Sequence, residues 1–406
     1  MNGRSGDARG DDTVQVGGRV DGCVDRRAWF AVSAVALGIF ALMTTELLPV
    51  GLLTFVSADL SVSDGTAGLM VTVPGVVAAA TAPTVAVLLG RVDRRTLLAA
   101  FVALMAAANV ACALAEHFAL VLAARALVGV SIGGFWAIAG GLAPRLVPER
   151  HVPRATAVVF GGVSSASVIG VPVGTLVGDL AGWRAAFLTV AALGGLALVL
   201  LLVLLPPVPA RAVPRLSDLP SLLVGHGGVR TGVLLALLLV TGQFTAYTFV
   251  RPLLTDVAGI DATLTGGLLL VYGVAGIVGN FVAGSGRDVR RTLFVATVGL
   301  TAALGVFGLA GGVPIAAVAA LVVWGLAYGG VSVGLQTWML RHASEVPEAA
   351  TALLVCAFNL SIALGALVGG LVADALAVAA IPWVAGALIV LAGVVLAGFR
   401  ASSRRS

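Results

Sequence analysis

The feature that most limits what this chain can fold into is a series of long apolar stretches that carry almost no charge. Two of them run from Trp29 to Leu53 and from Phe187 to Leu205. A helix needs about 20 mostly apolar residues to cross the hydrocarbon core of a bilayer, whereas a surface helix of a soluble protein keeps one polar face. Only 11% of the 406 residues are charged, and a soluble domain has roughly 25%. The sequence therefore predicts an all-α membrane protein.

Charged residues, prolines and glycine clusters divide the chain into twelve predicted membrane-spanning helices. Their approximate bounds are 28–56, 66–89, 96–115, 118–143, 155–178, 184–206, 230–256, 263–285, 291–311, 313–340, 350–373 and 377–399. The longest polar stretch in the interior of the chain follows the sixth of these. The predicted organisation is a disordered tail 1–27, a six-helix bundle 28–206, a linker 207–229, a second bundle 230–399 and a tail 400–406.

Arginine placement predicts the orientation of these helices. Clusters of Arg in 91–95, 145–154 and 287–291 fall on one side of the predicted membrane, and the turns on the other side carry mainly Asp and Glu. Because basic loops stay in the cytoplasm, both termini and the linker are expected there, in a multi-pass protein of the inner (plasma) membrane. No basic helix carries interleaved aromatic residues, so nucleic acid is not an expected partner.

One loop occurs twice, at equivalent places in the two halves. Residues 90–97 read Gly-Arg-Val-Asp-Arg-Arg-Thr-Leu, and residues 286–293 read Gly-Arg-Asp-Val-Arg-Arg-Thr-Leu. Each joins the second and third predicted helices of its half. Transporters built from such repeats bind substrate near the membrane midplane, where the repeats meet. The repeat therefore predicts two pseudo-symmetric six-helix bundles and a transport function.

Short motifs in the same regions resemble those of the major facilitator superfamily. The loop 90–95 is a shortened form of the family's G-x-x-x-D-R-x-G-R-R/K pattern, and 125–133 resembles its second motif in span four. In span five, 170–174 resembles a motif of the family's exporters and antiporters. The resemblance covers nearly all of 28–399 and implies the major facilitator fold.

The resemblance is narrower for the family's twelve-span drug:proton antiporter branch. The segment 44–53 (Thr-Thr-Glu-Leu-Leu-Pro-Val-Gly-Leu-Leu) is similar to its purine-ribonucleoside and sugar exporters. The segment 243–252 is more similar to the nucleoside exporters, and 358–360 to the sugar exporters, so the substrate class stays open. This implies proton-coupled efflux of a nucleoside, sugar or drug by alternating access. The alternative is a symporter or facilitator that imports a solute on the same fold.

Glu46 is the predicted proton-coupling residue, with Arg125 as its partner. A carboxylate in the middle of a span costs roughly 2.5–3.5 kcal/mol on insertion scales, and burial favours its protonated form. Both residues are predicted to lie roughly 10–15 Å from the outer ends of their spans, at 1.5 Å per residue. Competition between a proton and substrate for this pair is one interpretation. A static ion pair that fixes the packing of the first bundle is the other.

Polar and aromatic side chains recur at helical spacing in the spans of the second half. Gln243, Tyr247 and Arg251 share one face of span seven, and Trp324, Tyr328, Ser332 and Gln336 share one face of span ten. The predicted substrate-binding residues are Trp136, Gln243, Tyr247, Tyr328, Gln336 and Asn359. Aromatic faces beside amide groups suit a sugar or a nucleobase. Helix packing is the alternative for part of this set.

Three groups of residues are predicted to act in gating. Asp93, Arg94 and Arg95 form a candidate inner latch. Gly170, Pro172 and Gly174 predict a bent, closely packed seal in span five, because Pro breaks a helix hydrogen bond and Gly permits close contact. Arg251 is the third candidate, although its charge could instead extend to the outer interface.

No feature of the sequence favours an enzyme. The four His residues lie near loops, at 117, 151, 226 and 342, and no catalytic constellation or metal spacing surrounds them. The chain is expected to be a monomer without a cofactor, with a small solute, protons and the lipid bilayer as its partners.

Overall fold

The computed structural model describes residues 26–89, 92–139, 142–209, 227–284, 288–343 and 347–403. Twelve helices in this part of the chain are long and apolar enough to cross a membrane. Those of the first half, α1 to α6, are Arg26–Asp59, Leu69–Leu88, Arg94–Ala113, Phe118–Ala139, Glu149–Ala181 and Trp183–Leu204. Those of the second half, α7 to α12, are Gly227–Tyr247, Thr265–Gly284, Val289–Ala310, Pro314–His342, Pro347–Ala375 and Ile381–Ser403.

Shorter elements interrupt or extend several of these helices. A short helix, Asp64–Ala67, precedes α2, and a π-helical turn, Ala166–Gly170, lies inside α5. After α7 the chain forms one further helical turn, Val250–Pro252, and a second π-helical turn, Leu253–Val257. Both π-helical turns lie beside a proline, at 172 and 252, which lacks the N–H that a regular α-helix needs.

The twelve predicted spans are confirmed, with differences at their ends. The separation expected near residues 116–117 is present, since α3 ends at Ala113 and α4 begins at Phe118. In contrast, α5 begins at 149, six residues before the prediction. The proline at position 153 lies in the first turn of the helix, where a missing N–H costs no hydrogen bond.

The helices pack as two six-helix bundles with equivalent internal contacts. In the first bundle α2 packs on α4, and α3 packs on α4 and α6; in the second, α8 packs on α10, and α9 packs on α10 and α12. The main contacts between the bundles are α2 with α11 and α5 with α8, which is also a symmetric pair. The predicted fold of two pseudo-symmetric bundles is confirmed.

Glycines allow the closest of these helix contacts in both bundles. A Cβ atom on Gly129 of α4 would lie 2.6 Å from the carbonyl oxygen of Pro74 in α2. In the second bundle, a Cβ on Gly325 of α10 would lie 2.5 Å from the carbonyl oxygen of Tyr272 in α8. Only a residue without a side chain fits between these backbones.

The molecule has two ends, the Asp59 end and the Asp93 end. At the Asp59 end, α1 finishes and the short helix before α2 begins; at the Asp93 end, α2 finishes and α3 begins. Residues 210–226 of the predicted linker, 1–25 of the first predicted tail and 404–406 of the second lie outside the described residues.

Candidate functional site

Glu46 lies in the interior of α1 and is buried, with 5% of its surface exposed. It precedes the end of α1 at Asp59 by thirteen residues, which is about 20 Å of helix. Arg184–Asp59 and Arg251–Asp179 form ion pairs within 4.0 Å, whereas Glu46 forms none among the described residues. The Glu46 carboxylate is therefore not in contact with a cation.

Arg125 is fully buried in α4, and its guanidinium binds backbone carbonyls instead of the Glu46 carboxylate. Its Nε donates to the Met70 oxygen at 2.8 Å, Nη1 to the Thr45 oxygen at 2.8 Å, and Nη2 to the Glu46 backbone oxygen at 3.2 Å. Glu46 and Arg125 thus form no ion pair within 4.0 Å, although Arg125 does fix the packing of the first bundle. Arg125 holds α1, α2 and α4 together, and it does so next to Glu46.

Two prolines explain why these carbonyls are available. In an α-helix the carbonyl of residue i accepts a bond from the N–H of residue i+4. Pro49 and Pro74 have no N–H, so the carbonyls four residues earlier, those of Thr45 and Met70, lack their usual donors. A buried carbonyl without a donor is costly, and a charged donor that reaches it is strongly favoured. The arginine fork satisfies one such carbonyl in each of two neighbouring helices.

A polar contact from α3 completes this arrangement in the first bundle. Asn109 is fully buried, and its Nδ2 donates to the Met105 oxygen at 2.8 Å and to Thr45 Oγ1 at 3.2 Å. The Thr45 hydroxyl itself donates to the Ala41 oxygen of its own helix at 2.9 Å. The backbone around Glu46 is thus fixed by α2, α3 and α4, while its carboxylate is left unpaired.

A second polar network occupies the equivalent place in the second bundle. Trp324 Nε1 donates to Gln243 Oε1 at 2.6 Å, and Gln243 Nε2 donates to the Tyr272 hydroxyl at 2.7 Å. These bonds join α7, α8 and α10, the counterparts of α1, α2 and α4. Gln243 and Trp324 are fully buried. The predicted role of Gln243 as a substrate contact is untested, and both ends of its amide are already bonded to protein groups.

Aromatic rings surround this network. The Tyr247 ring stacks on the Tyr272 ring with centroids 4.9 Å apart, and each makes an edge contact with Trp324. Tyr328 makes an edge contact with Phe244 at 6.4 Å. All three tyrosines of the chain therefore converge on one region. Sequence reasoning selected two of them and missed Tyr272, which stands among apolar and glycine residues in α8. The one sequence feature that could have drawn attention to Tyr272 is that the chain has only three tyrosines.

The Glu46 carboxylate and two of the tyrosine hydroxyls share one property, which is the lack of a hydrogen-bond partner. The carboxylate and the hydroxyls of Tyr247 and Tyr328 accept or donate no hydrogen bond within the described residues, and none of these atoms is fully enclosed. Polar groups on α1, α7 and α10 are therefore not satisfied by the protein itself within the described residues.

The other predicted substrate contacts lie apart from this group. Trp136 packs beside Phe160 of α5, with ring centroids 5.7 Å apart, near the Asp93 end of the first bundle. Gln336 Nε2 donates to Thr351 Oγ1 at 3.1 Å, which joins α10 to α11. Asn359 Nδ2 donates to the Val355 oxygen of its own helix at 2.9 Å. All three are partly exposed.

Arg251 does not extend to the surface, so that interpretation is wrong. It is 2% exposed, and its Nη2 lies 2.9 Å from Asp179 Oδ1 of α5. Its Nη1 donates to the Gly51 oxygen of α1 at 3.1 Å, and its guanidinium lies 4.1 Å from the centre of the Phe55 ring. The second bundle is tied to α1 and α5 of the first bundle at the Asp59 end. Sequence reasoning placed Asp179 in a turn and missed this contact.

The predicted seal in span five lies along the contact between α5 and α1. A Cβ atom on Gly170 would overlap the Thr44 side chain, and one on Gly174 would overlap Leu48. Pro172 begins the regular helix after the π-helical turn. On the other side of this turn, Gly273 of α8 approaches the Ser167 carbonyl oxygen, where a Cβ would lie 2.8 Å away.

The predicted latch residues at the Asp93 end bind groups of α3, of α6 and of the chain just after α6. Asp93 caps the start of α3, with its side chain accepting from the Thr96 N–H at 3.2 Å. The Arg94 N–H donates to the Val208 oxygen at 3.0 Å, and the Arg95 side chain donates to the Leu202 oxygen. Two residues of the motif, at 90 and 91, lie outside the described part of the chain.

Comparison with known proteins assigns this architecture to a family. A family model described as Major Facilitator Superfamily matches residues 34–353. The purine ribonucleoside efflux pump NepI of Salmonella paratyphi A is 35% identical over 383 residues, covering 93% of this chain and 96% of the pump. The protein of that name in Salmonella typhi has the same identity and coverage.

Solved structures of transporters share the fold. A POT family transporter in complex with 5-aminolevulinic acid has a TM-score of 0.75 at 10% identity, covering 92% of this chain and 96% of that chain. The nucleoside transporter NupG has a TM-score of 0.73 at 12% identity, covering 91% of this chain and 99% of that chain. At these identities the likeness is one of fold.

Proposed function

Because the chain belongs to the major facilitator superfamily, we propose that this transporter is a proton-coupled exporter of purine nucleosides. The relative with 35% identity over nearly the whole chain is an efflux pump for purine ribonucleosides, and this supports both the direction and the solute. The aromatic region of Tyr247, Tyr272 and Trp324 offers flat faces of the kind on which a base stacks.

The observation that carries the proposal is the buried Glu46 carboxylate of α1, which has no ion-pair partner among the described residues. A buried carboxylate without a cation or hydrogen-bond donor is costly in its charged form and favours the neutral acid. The positive charge of Arg125 lowers that cost without an ion pair, because its guanidinium binds the backbone carbonyl of Glu46 and not the carboxylate. Glu46 would therefore take up a proton when solute leaves, and release it when solute binds.

Solute recognition would use groups from both bundles. Glu46 of the first bundle and Tyr328 of the second would both supply polar groups, and Gln243 would orient the aromatic rings through its bonds to Trp324 and Tyr272. Asn359, Gln336 and Trp136, which are partly exposed, would contact solute on its way from the Asp93 end. Nucleosides fit such a path, since they combine a flat base with ribose hydroxyls.

Transport would follow the rocking of one bundle against the other. Arg251 would hold the Asp59 end closed, and α5, with Gly170, Pro172 and Gly174, would pack rigidly against α1 during the motion. Asp93, Arg94 and Arg95 would close the Asp93 end when the Asp59 end opens.

The Asp93 end is proposed to face the cytoplasm, together with both termini and the linker 207–229, in the inner membrane. Arginine clusters near Asp93, in 145–154 and in 287–291 support this orientation. Single cysteines at Ser61 and in the linker, in a cysteine-free chain, test it with a membrane-impermeant thiol reagent applied to whole cells. Ser61 should react and the linker should not; the reverse pattern would overturn the orientation.

Counterflow in proteoliposomes tests the function. Vesicles loaded with unlabelled inosine or guanosine should accumulate the labelled nucleoside, whereas vesicles loaded with a sugar should not. An imposed pH gradient should then drive uphill movement of nucleoside towards the acidic side of the membrane, against the direction of the proton flux. Exchange without any response to the pH gradient would mean a facilitator, and movement with the proton flux would mean a symporter.

A further inference from the structure

A second internal repeat places an aspartate at the end of α5 and of α11. The sequence Leu-Val-x-Asp occupies 176–179 in the first half and 371–374 in the second. These helices hold equivalent positions, since α5 packs on α8 and α11 packs on α2 at the boundary between the bundles. The repeat thus brings Asp179 and Asp374 to the same end of the molecule, the Asp59 end.

Asp179 reaches from the first bundle to the second. Its Oδ1 lies 2.9 Å from Arg251 Nη2, and the two side chains are 12% and 2% exposed. Its Oδ2 is enclosed and has no hydrogen-bond partner among the described residues. A buried ion pair gains little over an apolar contact, so its presence at this boundary calls for a role other than stability.

Asp374 reaches in the opposite direction, from the second bundle to the first. Its Oδ1 accepts from the Gly65 N–H at 3.1 Å, and its Oδ2 accepts from the Ser63 hydroxyl at 2.7 Å. Ser63 and Gly65 begin the short helix Asp64–Ala67. A Cβ atom on Gly65 would overlap the Asp374 carboxyl group, which shows how closely the two bundles approach here.

We infer that Asp179 and Asp374 form a pair of latches that hold the two bundles together at the Asp59 end. Each latch joins one bundle to the other, so both must break when this end opens. The Asp179 latch should contribute more than Asp374 to keeping this end closed, because it joins a largely buried carboxylate to a buried cation. Asp374 binds neutral donors that water can replace. The inference rests on the proposed alternating access, and it adds the residues that set the balance between its two states.

A further ion pair at this end of the molecule provides a matched contrast. Arg184 and Asp59 also lie at the Asp59 end, but they join α1 to α6 within the first bundle. Their side chains are 43% and 45% exposed. The same substitution, Asp to Asn, can therefore be made in a pair that crosses the boundary and in one that does not.

Distances between spin labels measure the latch without substrate or proton gradient. One pair of labels is placed at Leu114 and Leu309, which are 69% and 80% exposed at the Asp59 end of the first and second bundle. A second pair, at Val203 and Leu340, reports on the Asp93 end. The labels are introduced into a chain whose three cysteines have been replaced, and which is checked for transport, in lipid nanodiscs.

Asp179→Asn should lengthen the Leu114–Leu309 distance and shorten the Val203–Leu340 distance, raising the open-to-closed ratio by roughly tenfold or more. Arg251→Gln should give the same shift, and the double variant no further shift, since both remove one interaction. Asp374→Ala should shift the ratio in the same direction by less, and Asp59→Asn should leave both distances unchanged.

Equal effects of Asp179→Asn and Asp59→Asn would overturn the inference, as would lengthening at the Asp59 end without shortening at the Asp93 end. The second result would indicate local disruption of a bundle. These outcomes are separate from the proposed function, because a failure of nucleoside or proton transport in vesicles leaves the distance distributions interpretable.

Discussion

Glu46 is the residue whose chemistry the surrounding structure isolates most clearly. Around it, Arg125 donates hydrogen bonds to the backbone carbonyls of Thr45 and Glu46, and Asn109 donates to the Thr45 hydroxyl. The Glu46 carboxylate itself is left without a partner within the described part of the chain. An unpaired acid in the middle of a span could be predicted from the sequence, because no other Asp or Glu lies so deep in an apolar run. Its lack of an ion pair could not, since that depends on where the Arg125 side chain points.

Replacement of Glu46 by Gln tests proton coupling. The amide keeps the shape of the side chain but cannot titrate, so Glu46→Gln should abolish nucleoside movement driven by a pH gradient. Nucleoside exchange at equal pH on both sides should persist, because it requires no net proton movement. The measurement is flux of labelled nucleoside in proteoliposomes with and without the gradient.

The matched control for this variant is Glu116→Gln, which makes the same change in the exposed turn between α3 and α4. It should transport like the wild type under both conditions. Full gradient-driven transport by Glu46→Gln would exclude Glu46 as the coupling site and favour a facilitator or another proton carrier.

Arg125 gives a second test at the residue scale, this time of structure. Lysine would keep the positive charge near Glu46 but has no planar fork to reach three carbonyls in two helices. Arg125→Lys should therefore leave at least one buried carbonyl unsatisfied, at a cost of about 1–3 kcal/mol. We expect a clear fall in the melting temperature of the purified protein in detergent.

The control for Arg125→Lys is Arg230→Lys, an exposed position near the start of α7. That variant should melt with the wild type. If Arg125→Lys also melts with the wild type and retains gradient-driven transport, the charge alone matters and the carbonyl bonds do not.

At the scale of elements, backbone features decide which helices meet. Pro49 and Pro74 make carbonyl acceptors available in α1 and α2, and glycines let α4 approach closely enough for Arg125 to reach them. The sequence predicts the helices from their length and apolar composition, and it predicts the bend of α5 from Pro172. It does not predict which carbonyl meets which side chain, because that requires the packing of three helices.

Gly129 tests how far Arg125 depends on that approach. Its Cβ position lies 2.6 Å from the Pro74 carbonyl oxygen, so Gly129→Ala should push α4 away from α2 at a cost of roughly 1–3 kcal/mol. The expected result is a lower melting temperature together with weaker transport. The comparison is Gly195→Ala in α6, where a Cβ atom meets nothing within 4 Å.

In that control position the gain in helix propensity should leave stability unchanged or raise it by up to about 1 kcal/mol. If Gly129→Ala and Gly195→Ala behaved alike in thermal unfolding, the contact between α2 and α4 would not be close in solution. The hydrogen bond from Arg125 to the Met70 carbonyl would then lack the close helix contact on which it depends.

At the scale of the whole molecule, symmetry accounts for the fold and departures from symmetry for the candidate site. The repeated loop, the equivalent helix contacts and the repeated Leu-Val-x-Asp sequence relate the two bundles. Within that frame, the first bundle places a charged pair of residues, Glu46 and Arg125, where the second places Gln243 and Trp324. The repeat of the loop could be predicted from the sequence. The meaning of the second repeat depends on the packing that brings both aspartates to the boundary between the bundles.

The last prediction uses this symmetry to separate gating from helix capping. Asp93 caps α3, and Asp288, at the equivalent place in the second bundle, caps α9 by accepting from the N–H groups of Arg290 and Arg291 at 3.0 and 3.3 Å. Asparagine caps a helix about as well as aspartate, so Asn at either position should preserve stability while removing a negative charge. If Asp93 closes the Asp93 end when the Asp59 end opens, Asp93→Asn should slow nucleoside transport several-fold with little change in affinity. Asp288→Asn should slow transport much less, because the loop that resembles the family's motif, 90–95, lies in the first bundle. The comparison is of initial transport rates and of half-saturating nucleoside concentrations in vesicles of equal protein content. Equal slowing by the two variants would mean that loss of charge at this end, and not a latch in the first loop, limits turnover.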